Sequence, residues 1–250
     1  MAKIGIIGGS GLDNPNILKS AKDIELSTPY GDTSSKIMQG IIMGQNVSII
    51  ARHGRDHSIA PSNINYRANI WALNEIGCTH LIATTAVGSL RSSIKPGDIV
   101  LPDQFIDFTK RRASTFFDEN SDVVHTEMAN PFSEQLIKEA SRIASDLEIS
   151  FHHNKTVITI EGPRFSTKSE SNMFRSWNAD IINMSSCPEV ILAKELGLKY
   201  LTLAMSTDYD CWKEDEDPVS WEMIKETMSN NSSNVIRIIK ELIPRISTLE

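Results

Sequence analysis

A chain of 250 residues with 40% hydrophobic and 23% charged side chains is long enough to bury one sizeable core, and residues 1–250 are expected to form a single domain. Its formal net charge of −7 gives no basic surplus for nucleic acid or an anionic membrane, so neither is an expected partner and a small ligand fits better. Cys78, Cys187 and Cys211 are odd in number, far apart and without a CxxC pair, which signals neither a disulfide framework nor a zinc knuckle.

No apolar run approaches the roughly 20 residues of a membrane span, and the opening Met1–Ile7 stretch is too short for a signal peptide; a cytoplasmic location is expected. Lys3 to Ile7 reads as a strand running into Gly8-Gly9-Ser10-Gly11, a turn whose backbone N–H groups can approach an anion. A dinucleotide fingerprint would need glycine at position 14, where Asn14 stands, and no Gly-Lys pair exists to make a P-loop. A glycine-rich turn without a ligand fits the same residues.

A second strand, Asn46 to Ala51, leads into Arg52-His53-Gly54-Arg55-Asp56-His57. The guanidinium of Arg52 offers paired donors suited to phosphate. His53, Asp56 and His57 approach an H-x-x-E-H metal spacing, but Gly54 inside it and Pro61 beyond it argue against the helix that motif requires, so no metal is expected. Pro61 is predicted to open a helix carrying Ile64, Ala68, Trp71 and Glu75 on one face, closed by Gly77.

Thr79 to Thr84 reads as a third strand, ending in the hydroxyl-rich loop Thr84-Thr85-Ala86-Val87-Gly88-Ser89. Strand ends near Ser10, Arg52 and Thr85 thus all offer donors of the kind a phosphate takes. After a short strand at Ile99–Leu101, residues 104–130 are polar and weakly periodic; the run Lys110-Arg111-Arg112 within them reads as a solvated face, and His125 shows no intrinsic role. Residues 131–149 form an amphipathic helix.

Thr156 to Ile160 is a strand before Glu161-Gly162-Pro163-Arg164-Phe165-Ser166, where Phe165 can stack on a planar ring or simply join the core. A helix through 169–177 follows, then a strand at Ile181–Met184, with Ser185 at the start of the next helix, a position favourable to anions. The apolar run from Leu201 stops on Asp208-Tyr209-Asp210. Strand alternation would turn both acids to one side, a pincer of acceptors, although a solvated acid pair at a turn fits as well. An acidic loop and a helix over 220–242 complete the chain.

Gly8-Gly9-Ser10-Gly11-Leu12, Arg52-His53-Gly54, Thr84 to Leu90, Glu161-Gly162-Pro163-Arg164-Phe165-Ser166, Asn183-Met184-Ser185 and Ser206-Thr207-Asp208-Tyr209-Asp210-Cys211-Trp212 together resemble the purine nucleoside phosphorylase family, over almost the whole chain and in the same order. Within it they resemble the branch that cleaves 5′-methylthioadenosine. The resemblance implies an α/β fold with a twisted mixed β-sheet flanked by helices, a homotrimer or homohexamer, and phosphorolysis with inorganic phosphate as co-substrate and no cofactor. It implies phosphate binding by Ser10, Arg52, His53, Thr85, Ala86 and Ser185, a ribose floor at Met184, and a base pocket with Phe165, Ser166, Asp208 and Asp210.

By the same resemblance Asp208 is the general acid toward purine N7, His125 reaches a neighbouring subunit's site, and Trp221 and Ile224 line the 5′ pocket. Trp221 stands where family members often carry a smaller aliphatic residue, so adenosine competes with methylthioadenosine as the expected substrate. Phosphorylases of 6-oxopurine nucleosides or methylthioinosine and a catalytically silent nucleoside-binding protein are the alternatives; a nicotinamide-dependent dehydrogenase is weakened by Asn14.

Overall fold

The computed structural model describes residues 3–8, 17–118, 123–214 and 221–248, without the side chains of 221–226, 229 and 230. Among these residues nine strands pair into one mixed sheet: β1 (Ile4–Gly8), β2 (Lys19–Ile24), β3 (Ile37–Ile42), β4 (Gln45–Ala51), β5 (His80–Ser89), β6 (Ile99–Phe108), β7 (Phe151–Ile160), β8 (Ile181–Asn183) and β9 (Lys199–Asp208), in the order β2-β3-β4-β1-β5-β8-β7-β6-β9. A further pairing of β9 with β5 closes β5, β8, β7, β6 and β9 into a ring. The apolar Ile4-Gly5-Ile6-Ile7 run is buried throughout because β1 is flanked by parallel neighbours, β4 and β5.

Among the described residues five helices pack around the sheet: α1 (Tyr66–Glu75), α2 (Glu134–Asp146), α3 (Lys168–Ser176), α4 (Ser186–Glu195) and α5 (Trp221–Ile246). The buried face of α2, Leu136, Ile137, Ala140, Ile143 and Ala144, has the three-and-four spacing of an amphipathic helix, and α2 packs on α5. Among the described residues no helix is long and apolar enough to cross a membrane.

Several expectations are corrected. Pro61 opens only a 3-10 turn, Pro61–Asn63; α1 starts after Asn65, whose side chain accepts the Ala68 N–H and so sets the boundary. The hydroxyl loop after Thr84 is instead strand through Ser89, because its ladder to β9 continues from Thr84↔Leu203 to Gly88↔Asp208. β6 likewise runs to Phe108 against β7 rather than stopping at Leu101. Strands β2 and β3 have no counterpart in the sequence pattern. β2, Lys-Ser-Ala-Lys-Asp-Ile, is an exposed edge strand with no apolar alternation to read. Helix α5 passes through Pro244 to Ile246, beyond the expected end at residue 242.

Candidate active site

A cavity of about 380 Å³ opens where β5, β8 and β9 finish. Its wall includes Thr85, Ala86 and Gly88 from β5, Asn183 from β8 with Met184 and Ser185 just past it, Asp208 and Asp210 at the end of β9, and His53, Phe165 and Ser166 from loops. The volume lies in the range of small-ligand sites.

Both acids face this cavity, but not for the reason strand alternation gives. β9 ends at Asp208; the chain then turns through Tyr209 (φ −97°, ψ 16°) into a 3-10 turn, Asp210–Trp212, with Asp210 in the left-handed region at φ +51°. Trp212 fixes that turn by donating its indole N–H to the Ser89 carbonyl at 2.8 Å beneath the Arg175 guanidinium, 3.8 Å from the ring centroid. The Asp210 backbone N–H donates to Asp208 Oδ1 and Thr207 Oγ1 donates to Oδ2, both at 2.7 Å. Burial still dominates: it pushes the Asp208 carboxyl up to about 6, against the pull of those two hydrogen bonds and with a smaller push from Asp210. Ser166 Oγ sits 2.8 Å from each oxygen of the Asp210 carboxylate, a donor shared between them.

Gly88 makes the approach of the acids sterically possible. A Cβ there would sit 3.0 Å from Asp208 Oδ1, 3.1 Å from Ile182 Cγ2 and 3.4 Å from Asp210 Cβ.

Toward the other end of β5, Thr85 and Ser185 bring their hydroxyls within 3.0 Å of each other. Asn183 orders this pair: its Nδ2 donates to Thr85 Oγ1 at 3.3 Å and to Ser186 Oγ at 2.8 Å, while Thr159 Oγ1 donates to its Oδ1 at 2.9 Å. Ser185 occupies the N-cap position of α4 without capping it, and the helix proper begins only past Cys187, whose φ −102° and ψ 136° are not helical. His53 is buried, with Nδ1 2.8 Å from the Ile59 carbonyl and its ring stacked on His57 at 4.5 Å. Among the described residues no group of three or more His, Cys, Asp or Glu side chains is gathered as for a metal ion.

Arg52 turns its donors inward. Its fork of paired donors is turned to Glu189, Nε to Oε2 at 2.7 Å and Nη2 to Oε1 at 2.8 Å, while Nη1 donates to the Thr84 carbonyl at 2.7 Å. Both partners are essentially unexposed, at 2% and 1%, and Arg52 is not in the cavity wall. Burial would lower the guanidinium pKa, but the Glu189 carboxylate outweighs it and the net shift is upward. Tyr200 Oη completes the set by donating to Glu189 Oε1 at 2.7 Å. The fork therefore braces β5 at the residue before Thr85.

Arg112 is also corrected: the third residue of the tribasic run is no solvated face but 2% exposed, beside Glu161 and under Met184. Phe165, 44% exposed, and Met184 both lie in the cavity wall, whereas His125 is exposed and outside it. Ser10 lies outside the described residues, as do the side chains of Trp221 and Ile224, whose backbones belong to the first turns of α5.

A phosphorylase superfamily model matches residues 3–244, and the chain belongs to that superfamily. Its relatives include the S-methyl-5′-thioadenosine phosphorylase of Danio rerio, 50% identical over 252 residues (99% of this chain, 90% of the relative). That of Drosophila pseudoobscura pseudoobscura is 50% identical over 249 residues (98% and 86%). Among solved structures, methylthioadenosine phosphorylase from Schistosoma mansoni in complex with adenine matches with TM-score 0.95 and 37% identity, over 99% of this chain and 93% of the other. A mutant of the adenosine/methylthioadenosine phosphorylase from the same organism, in complex with methylthioadenosine, matches with TM-score 0.94 and 37% identity (99% and 92%).

Proposed function

We propose that the chain catalyses the phosphorolysis of S-methyl-5′-thioadenosine to adenine and 5-methylthioribose 1-phosphate. One observation carries the reading: the hydroxyl cluster at Thr85 and the acid pair beside Gly88 share one cavity wall, three residues apart on β5 and so about 10 Å apart along an extended strand. That span suits a phosphate at one end, a purine edge at the other and the sugar between them over Met184. The names of the relatives support the same substrate.

In this reading phosphate is held by Thr85, Ala86, Ser185 and His53, with Ser10 on the sequence's account and Arg52 supporting them from below. A phosphate oxygen bonds to the anomeric carbon as the glycosidic bond breaks, its electron pair passing to the purine. The proton of Asp208 goes to N7, so adenine leaves neutral; a carboxyl with a pKa of about 6 still holds a proton in a useful fraction of molecules near neutrality. Asp210, with Ser166 bound to its carboxylate, accepts from the 6-amino group. A 6-oxo purine would set two acceptors face to face. Phosphate is the co-substrate and the proposal calls for no cofactor.

Adenosine is the second reading, favoured by the structural relative named for both nucleosides. Trp221 and Ile224 in the first turns of α5 are the side chains proposed to choose between methylthio and hydroxyl at the 5′ end. We extend the proposal to one phosphorylase domain spanning the chain, working in the cytoplasm as a homotrimer or homohexamer with His125, on an exposed stretch with Val123 and Val124, reaching a neighbour's site. Product chromatography with methylthioadenosine, adenosine and inosine, each with and without phosphate, tests the function. Adenine release from methylthioadenosine only when phosphate is present is the expected result, and binding without release would leave a nucleoside-binding protein.

A further inference from the structure

Arg112 does not line the cavity, yet it ties together the chain segments that form its wall. Nη1 donates to the carbonyl oxygens of Met184 and Cys187, each at 2.7 Å, and to Tyr66 Oη at 2.9 Å. Nη2 donates to the Glu161 carbonyl at 2.7 Å and the Ile160 carbonyl at 3.3 Å, and Nε to Glu161 Oε1 at 3.1 Å. The other Glu161 oxygen accepts the backbone N–H groups of Lys110 and Arg111 at 2.6 and 3.1 Å, so the carboxylate fixes the segment that carries the guanidinium.

One planar cation thus joins the end of β7, the chain just past β8, the start of α4 and helix α1. Ile160 and Met184 are themselves cavity wall, and Ser185 follows Met184 directly. Met184 also packs on residue 162: a Cβ on Gly162, at φ +69°, would lie 2.5 Å from its Sδ. A shift of the Met184 carbonyl would therefore move both the residue beneath the sugar and the neighbouring Ser185 hydroxyl.

We infer that Arg112 is a positioning residue for the phosphorolysis, holding Met184 and Ser185 in register with the β7 end without touching substrate. The inference rests on the phosphorylase reading above. Only a guanidinium has the several in-plane donors that this set of carbonyls requires; a lysine ammonium is a point charge. Misplacement of reacting groups by about 1 Å costs on the order of 10²-fold in rate.

The test compares the full chain with its R112A and R112K variants under saturating methylthioadenosine and phosphate, reading kcat, KM and thermal midpoint. R112A is expected to lose about 10²-fold in kcat, with KM for either substrate changing far less. Free guanidinium at a non-denaturing concentration restores part of that kcat, ammonium at equal ionic strength does not, and wild type responds to neither. Wild-type turnover in R112A, or a loss that guanidinium leaves untouched, overturns the inference. Should R112A fail to fold, R112K decides: a lowered kcat with nearly unchanged KM in a folded protein supports it, and a wild-type kcat overturns it. An inert wild type would sink the phosphorylase reading and this inference with it, whereas an active wild type with unimpaired variants sinks this inference alone.

Discussion

The backbone N–H of Asp210 donates to Oδ1 of Asp208 at 2.7 Å, so the second acid of the pair is anchored on the first. The two side chains consequently have different surroundings: Asp208 is held by its own strand end, Asp210 by Ser166 from the loop after β7. That division separates a group poised to carry a proton from one poised to accept a hydrogen bond.

For Asp208 the sign of the pH effect is fixed by the direction of its shift. The folded state raises this carboxyl from 3.8 to about 6, so its contribution to stability is complete below about pH 4 and is lost as pH rises through about 6. A shift of that size corresponds to about 3 kcal/mol. Asp208→Asn should flatten that part of the stability profile in urea titrations from acid to neutral pH. In wild type the protonated form acts as donor, so kcat/KM should fall as pH rises through about 6. The Asn variant should lose about 10²–10⁴-fold in kcat together with that limb of the profile. Full turnover in Asp208→Asn would remove the residue from the reaction.

Asp210 governs which base is accepted. Asp210→Asn exchanges an acceptor-only group for one that also donates, so the ratio of inosine to methylthioadenosine cleavage should rise. Ser166→Ala removes the shared donor and should weaken adenine-nucleoside turnover by about 1–3 kcal/mol of transition-state stabilisation. Parallel kinetics on the two nucleosides check both variants, and an unchanged ratio in Asp210→Asn would exclude Asp210 from base selection.

Gly88→Ala tests the close approach of β5 to the acids. Its methyl would press on Asp208 Oδ1 and Ile182 at 3.0 and 3.1 Å, so overpacking of about 1–3 kcal/mol is expected. Activity should fall by more than the loss of folded protein accounts for, because the displaced atom is the proton donor's own oxygen. Circular dichroism melts alongside kinetics separate the two effects.

Glu189→Ala leaves the Arg52 guanidinium buried without its carboxylate and should cost about 3–5 kcal/mol in urea unfolding. The double variant Arg52→Met with Glu189→Leu should cost less than that single change, since the desolvated charges leave together. A double variant as unstable as the sum of its singles would show that the two residues do not interact.

Much of the cavity wall was legible because apolar runs stop there on polar residues: Thr85, Met184-Ser185 and Asp208-Tyr209-Asp210 all follow this pattern, although Thr85 lies within β5 rather than at its end. What was not legible depends on pairing across distance. Arg52 and Glu189 are 137 residues apart, so nothing local indicates that the fork is already occupied. Arg112 looked like its solvated neighbours, since a run of three cations carries no mark of which one folds inward. One usable signal was the apolar Phe105, Ile106 and Phe108 just before the run, which show that the sheet continues almost to it. β2 stayed hidden because an exposed edge strand of charged and small residues lacks the period-2 pattern by which strands are read.

The closure of β9 onto β5 carries a consequence for motion. Every strand of that five-membered ring is laddered on both sides, so no single one can peel away without breaking two sets of amide bonds at once. The β2–β3 arm has an outer rim bonded on one side only. Deuterium uptake should therefore begin at Lys19–Ile24 and arrive last in the amides of β5 and β9, giving a protein whose ligand-facing staves keep their alignment while its far arm breathes.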